Sequence, residues 1–448
     1  MNSKKVRLML ALAMMAAVFT ACGGKDEQKG AGSADPPKHE APEQKAPEKK
    51  PDNTGPREIT MYSAGASIDE KTFDEMYGNA IRKKFPDVKL SYIPNTTGTK
   101  INDLIAGNTT IDILFDSIGF QNTLKDLKIQ TDLTPYIKSG NLDLNIFEQT
   151  PIEFQRKLGN GALYALPVWT ASAGLFYNKD LFDKFGVPYP KDNMTWDEVY
   201  ELAKRMTRNE GGVQYIGYLT SPTHQANTNQ LGLKFIDPKT GKARIDNDAW
   251  AQFMKSIVQF YRIPGLEWNA KNSTVAAQRA MFEKDRTVAM YTNYSGGTPP
   301  EDMNWDVVTV PGYPQAPGIG PQAYPAFLSI CSLSKNKELA FEVIKFLVSE
   351  EYQTENTRAG RATVLNNPAI IKQYGQGLSK FKGKNVAAMF PAKRAPIGDY
   401  TPEDSAAVST FGAAFTDIIV NKTDINTALR KANEEANQKI EELKQVKK

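Results

Sequence analysis

The sequence predicts an α/β protein built on parallel βαβ units. Three observations carry this. Strand-like and helix-like stretches alternate from residue 57 onward. The links between them are short, which suits strands joined by crossover helices. At 448 residues the chain holds two to three domains' worth of sequence, enough to bury a core without disulfide staples.

Taken in order, residues 58–62 read as a strand and 72–85 carry apolar residues at helical spacing. Residues 89–93 form a second strand, 100–106 a helix and 111–115 a third strand. In such sheets ligands bind beyond the carboxyl ends of the strands. Here those ends carry the loops 63–67 and 116–119. A strand then leaves one lobe around Gly161–Pro167, and residues 175–182 enter another. Thr195-Trp196-Asp197-Glu198 is a capping box, in which the Thr195 hydroxyl and the Glu198 carboxylate satisfy the first amides of a helix through Met206. Asp237-Pro238-Lys239-Thr240-Gly241 marks a hairpin-like turn, and Asp246 and Asn247 cap a helix to about Tyr261. Further on come a helix at 276–284, a strand at 287–291 and an amphipathic helix at 339–348. The tail repeats Ile425, Leu429, Ala432, Ala436, Ile440 and Leu443, a stripe that packs on a lobe. Trp196, Trp250, Trp268 and Trp305 read as packing residues.

The first 21 residues carry Lys4, Lys5 and Arg7, then an apolar run from Leu8 to Phe19, then small residues. That order is a secretory signal, and the run is too short to span a bilayer, which needs about 20 apolar residues. Val18-Phe19-Thr20-Ala21-Cys22-Gly23-Gly24 resembles the lipobox of bacterial lipoproteins. The resemblance implies a signal peptide at 1–21, acylation of Cys22 (palmitate among the chains) and a lipid anchor on the outer face of the cytoplasmic membrane. Residues 22–56 then hold the lipidated cysteine and a tether. The tether is mostly Lys, Glu, Pro, Ala and Gly, a composition that cannot bury enough apolar surface to order itself.

Composition excludes several function classes. The formal net charge is +4, and three of the positive groups lie in the signal. The remainder is close to neutral, against the basic stripe that nucleic acid requires. The second cysteine, Cys331, reads as a small core residue. With only two histidines a His-pair zinc motif is impossible, and no Walker A loop, GxGxxG fingerprint or GxSxG elbow occurs. No metal and no cofactor is expected. A carboxylate pair for glycoside hydrolysis stays open, because 51 acidic residues offer many pairs.

The middle of the chain carries a further resemblance. Gly161–Leu166, Pro167, then Leu175-Phe176-Tyr177-Asn178-Lys179-Asp180-Leu181-Phe182, Gly186, Pro188 and the capping box resemble family 1 extracellular solute-binding proteins. That family includes sugar-binding lipoproteins of ABC importers and the maltose-binding protein. Ala280-Met281-Phe282-Glu283-Lys284-Asp285-Arg286-Thr287-Val288-Ala289-Met290 and Ser334-Lys335-Asn336-Lys337-Glu338-Leu339-Ala340-Phe341-Glu342 agree with later blocks of it. The resemblance implies a two-lobed periplasmic-binding-protein-like α/β fold with three inter-lobe crossings and a ligand cleft. Residues 57–166 and 327–365 would make lobe one, and 167–326 and 366–448 lobe two. The crossings would lie near residues 167–172, 322–326 and 366–374. It also implies a protein that performs no chemistry. It would be a monomer that captures a carbohydrate and docks on ABC permease subunits, touching the membrane only through its lipid. The same fold binding a peptide, phosphodiester or polyamine is the alternative, with Arg361 the residue that would favour charge.

A sugar offers hydroxyls and flat C–H faces, which suit aromatic platforms and short polar side chains converging in a cleft. On that chemistry and the implied cleft, Trp169 and Thr170 at the first crossing are expected ligand contacts. So are Asp116 and Ser117 after the third strand, Tyr62 and Ser63 after the first, and Tyr291, Asn293 and Tyr294 near a later strand end. His224 and Gln225 follow from Thr220-Ser221-Pro222-Thr223-His224-Gln225, Tyr324 from the second crossing, and Phe411 from the tail helix.

Overall fold

The computed structural model describes residues 57–64, 68–294 and 296–446. The expected signal peptide, Cys22, the expected tether and part of the 63–67 loop lie outside the described residues. Two five-stranded mixed sheets organise the rest.

The first sheet runs β2-β1-β3-β10-β4. Its strands are β1 (Arg57–Ser63), β2 (Val88–Ile93), β3 (Ile113–Ser117), β4 (Leu166–Thr170) and β10 (Pro325–Ile330). β1 pairs parallel with β2 and β3, as the βαβ alternation predicts, while β10 inserts antiparallel between β3 and β4. Alternate residues feed two apolar clusters. Ile59, Met61, Ile113 and Phe115 belong to one; Tyr62 and Leu114 belong to the other. β3 starts two residues later than its apolar run because Asp112 is occupied by its side chain. The buried carboxylate accepts from the Thr60 amide at 2.9 Å and the Ser334 hydroxyl at 2.5 Å.

The second sheet runs β6-β7-β8-β5-β9. It comprises β5 (Gly174–Asn178), β6 (Arg208–Glu210), β7 (Val213–Thr220), β8 (Val288–Asn293) and β9 (Trp305–Val308). Helix Trp196–Met206 opens on the expected capping box. It packs backbone to backbone on β7: a Cβ at Gly217 would lie 2.1 Å from the Ala203 carbonyl oxygen. Trp196, Trp250, Trp268 and Trp305 are all buried in this sheet's core. Asn247, not Asp246, caps helix Asp248–Tyr261, its side chain accepting from the Trp250 amide. The tail helix Ile425–Val446 buries Leu429, Ala432, Ala436 and Ile440 of the stripe read from sequence, together with Ala428, while Ile425 and Leu443 at its ends are half-buried. Its Asn433 and Asn437 accept from the amides of Ile245 and Ala243.

The chain leaves the first sheet after Thr170 and joins the second at Gly174; it returns between Val308 and Pro325. Residues 167–170 and 325–326 therefore belong to the first sheet, a few residues beyond the junctions read from sequence. A third passage follows helix Glu350–Arg358, where Val364, Leu365 and Ile370 pack with the first sheet and Tyr374 and Phe381 with the second. Among the described residues, no helix is long and apolar enough to cross a membrane.

Candidate functional site

The strand ends nearest the first crossing bring residues of both sheets together. Ser117, Ala326 and Trp169 are lateral partners across β3, β10 and β4, so their side chains share one face of the first sheet. Trp169 is half-buried there. Opposite, β8 ends at Asn293, which pairs with Gly174 of β5. The chain then turns through Gly296, with φ of +78°. A Cβ on Gly296 would sit 3.5 Å from both Trp169 Cζ2 and Ala171 Cα. The second-sheet loop thus touches the edge of the first-sheet indole, and glycine lets the backbone approach. Asn293 Nδ2 donates to the Gly297 carbonyl at 2.7 Å. A Cβ on Gly297 would sit 3.0 Å from Arg279 Nη2.

The other expected residues have these surroundings. The Ser117 and Tyr324 hydroxyls lie near each other, at 4.0 and 3.8 Å from where a Cβ on Gly119 would sit, and Tyr324 packs edge-on to Tyr400 at 5.7 Å. The Ser63 hydroxyl meets the Tyr92 phenol. Thr170 is buried at the end of β4, and its hydroxyl has no hydrogen-bond partner among the described residues. His224 is exposed on helix Pro222–Asn227, with Nδ1 2.6 Å from Ser221 Oγ. Desolvation by the surrounding protein lowers its pKa. Tyr291 is buried and stacked on Phe282.

Five expected contacts are corrected. Phe411 is fully buried against Trp250 and Phe253; its helical spacing served the core, not the cleft. Tyr62 is fully buried, its hydroxyl donating to the Thr99 carbonyl at 2.9 Å. Asp116 is fully buried, one oxygen accepting from Gln121 Nε2 at 2.7 Å. Desolvation pushes its pKa well above the usual carboxyl range. Gln225 faces inward, its amide 3.4 Å from the Tyr313 hydroxyl. Tyr294 is a core residue, placed among Tyr218 and Tyr313.

Sequence reasoning passed over Arg279, Gly296 and Gly297. The signal available was the paired glycine directly after a strand end, at the edge where ligands bind. Among the described residues, no group of three His, Cys, Asp or Glu side chains could hold a metal ion. The site offers an indole face, hydroxyls, an amide and a guanidinium, a set that binds and orients a polar solute.

A match to the family described as bacterial extracellular solute-binding protein runs over residues 64–354. A probable ABC transporter-binding protein of Deinococcus radiodurans is 23% identical over 329 residues, covering 66% of this chain and 70% of its own length. Among solved structures, a sugar transporter from Rhizobium etli in an open conformation aligns with TM-score 0.67 at 18% identity, covering 85% of this chain and 98% of that one. The sugar-binding protein MalE of Xanthomonas citri aligns with TM-score 0.66 at 16% identity, covering 87% and 98%. At these identities the structures establish the shared fold. The family match spans more than half of the sequence and agrees with the two-sheet architecture; this chain belongs to the bacterial extracellular solute-binding proteins, a non-enzymatic transporter family.

Proposed function

We propose that this protein captures a carbohydrate, in particular an oligosaccharide, between its two lobes and delivers it to an ABC importer permease. The observation that carries this reading is the half-buried Trp169, set across from the Gly296–Gly297 turn and on the same sheet face as Ser117, with Ala326 between them. An indole face stacks on the C–H face of a sugar, and polar groups around it receive the hydroxyls. The sugar-binding character of the structural relatives supports it. Lobe one would comprise residues 57–170 and 325–365, and lobe two residues 174–321 and 366–446. Closure by hinge bending would present the loaded form to the permease. Cys22, acylated, would hold the protein at the extracellular face of the membrane as a monomer. One acyl chain binds marginally and two bind stably.

A thermal-shift screen tests the reading, with mono- and oligosaccharides, peptides, a phosphodiester and polyamines. A ligand at 100 times its Kd stabilises the native state by ~2.7 kcal/mol. A shift with one saccharide class, and that saccharide recovered intact, is the expected result. A shift only with a phosphodiester would favour the charged-solute alternative. That alternative rests on Arg361, half-buried near the Tyr77 and Tyr352 phenols with no ion pair among the described residues.

A further inference from the structure

We propose that Arg279 is the specificity-determining residue of the second lobe, and that it selects an uncharged saccharide by receiving two neighbouring hydroxyl oxygens while the ring stacks on Trp169. The inference rests on the carbohydrate reading and narrows it.

The geometry is a short row. Trp169 stands at one end, in contact with Gly296; Gly297 follows, and Arg279 Nη2 stands at the other end. The glycine pair itself adds no side chain between indole and guanidinium, and the Asn293 amide lies beside the guanidinium. A Cβ at 297 would press on Arg279 Nη2 at 3.0 Å and on Asn293 Nδ2 at 3.2 Å, so a larger residue would fill the gap or displace both donors. Asn293 is held by its bond to the Gly297 carbonyl, which ties the glycine pair to the end of β8.

Arg279 is prepared for this role from behind. Its Nε donates to Glu283 Oε1 at 2.8 Å, one helical turn along Val275–Glu283. That bond orients the guanidinium and leaves both Nη groups without a further hydrogen bond to protein among the described residues. A guanidinium presents paired N–H groups in one plane, a match for two oxygens side by side. Vicinal hydroxyls on a saccharide offer that pair.

Charge then decides between solute classes. Glu283 already neutralises Arg279, and Glu283 is the more enclosed partner, 21% exposed against 41%. A solute carboxylate or phosphate would meet Glu283 as well as Arg279, and a polyamine would meet the guanidinium. A neutral sugar avoids both conflicts and uses the open N–H groups.

The experiment measures affinity by calorimetry on the full chain and on Arg279→Gln, Arg279→Lys and Glu283→Gln. The probes are neutral malto-, cello- and xylo-oligosaccharides, trigalacturonate and spermidine. Wild type should bind a neutral saccharide. Arg279→Gln should weaken that binding at least about ten-fold, the scale of a lost charged hydrogen bond, with an unchanged melting temperature. Arg279→Lys should fail to restore it, because an ammonium lacks the paired donors. Glu283→Gln should raise trigalacturonate affinity relative to the neutral sugar. Wild-type preference for trigalacturonate or spermidine overturns the proposal. So does neutral-sugar affinity that is equal in wild type and folded Arg279→Gln, an outcome that leaves saccharide capture standing. No binding of any saccharide by wild type overturns both readings.

Discussion

Two connections join the lobes by opposite means. The first crossing, residues 171–173, is three residues long and buried throughout. It is held by backbone: the Ala171 amide donates to the Tyr324 carbonyl at 3.1 Å, beside the returning strand. A Cβ on the next residue, Gly174, would lie 2.5 Å from Val307 Cγ2, so no side chain separates it from the second sheet. The Ser172 hydroxyl lies near the Tyr374 phenol of the third passage. The other connection, residues 394–400, is a strap with a charged residue near each end, Arg394 and Asp399. It leaves the second lobe with the Gly398 amide donating to Gln322, then crosses to the first lobe. There Asn122 Nδ2 donates to the Asp399 and Tyr400 carbonyls. Asp399 pairs with Lys157 of the first lobe and, at 3.6 Å, Lys234 of the second. At the strap's other end Arg394 feels the Glu148 carboxylate. Helix Gln149–Leu158 thus carries an acid at its start and a base near its end, in keeping with its dipole, and the strap carries the reverse. The backbone-bonded crossing fixes direction; the half-exposed ion pairs of the strap can part at small cost and re-form.

The largest effect should come from Gln353, which ties the strand that leads into the first crossing to the segment that leads into the third. It is fully buried and donates to the Val168 carbonyl at 3.0 Å and the Leu347 carbonyl at 2.8 Å. It accepts from the Thr363 hydroxyl at 2.9 Å and the Val364 amide at 3.3 Å. Gln353→Leu would strand these groups, each at about 1–3 kcal/mol when buried unpaired. We expect a loss of at least about 3 kcal/mol in urea unfolding. A loss below about 1 kcal/mol would mean that the crossings are not tied as rigidly as drawn.

Beneath the strap lies Asp116, the partner across β3 and β10 of Phe327, which packs with Tyr400. Its neighbours are amides: Gln121 donates to it, and Gln155 and Gln130 donate to Gln121. Desolvation raises its pKa, with the Gln121 bond opposing. The stability from its proton is therefore full below the ordinary carboxyl pKa near 4 and is lost as pH climbs toward the raised value. Asp116→Asn has no such dependence. It should match wild type near pH 4 and exceed it by on the order of 1–2 kcal/mol at pH 8. A constant difference across that range would place the carboxylate in contact with water.

These two residues show what sequence could carry. The βαβ order, the Thr195 capping box and the tail stripe are local patterns, and each was readable. Trp169 and Ser117 were readable as site candidates because a strand end names them. Gln353 lies mid-helix among polar residues, and nothing nearby says that its amide reaches Val168, 185 positions earlier. Asp116 and Phe411 were assigned to the cleft because residue type and strand end or helix were visible while burial was not. Arg279 went unnoticed because its role depends on a glycine turn that folds back on it. Properties set by neighbours in sequence were legible; those set by two distant segments meeting were not.

At the cleft the comparison takes a functional form. Trp169 borders the crossing and packs against the first-lobe core while staying half-exposed. Trp169→Ala should weaken saccharide binding by at least about 1 kcal/mol, or roughly five-fold, by calorimetry. Equal affinity in a folded variant would remove the indole from the site.

The smallest effect belongs to the strap. Burial raises the Asp399 pKa, but the hydrogen bond and charge of Lys157, with Lys234, outweigh it and hold the carboxyl below the usual range. Its side chain is 36% exposed and that of Lys157 is 61% exposed, so water and salt screen the pairs. Asp399→Asn keeps the backbone carbonyls that receive Asn122 and removes only the charge. It should cost at most about 1 kcal/mol of stability, the scale of exposed ion pairs. The cost should vanish in 1 M salt, where the Debye length falls to about 3 Å. A cost above about 2 kcal/mol that salt leaves unchanged would make the strap as rigid as the crossing. The lobes would then have two fixed connections, and closure would have to bend the fold elsewhere.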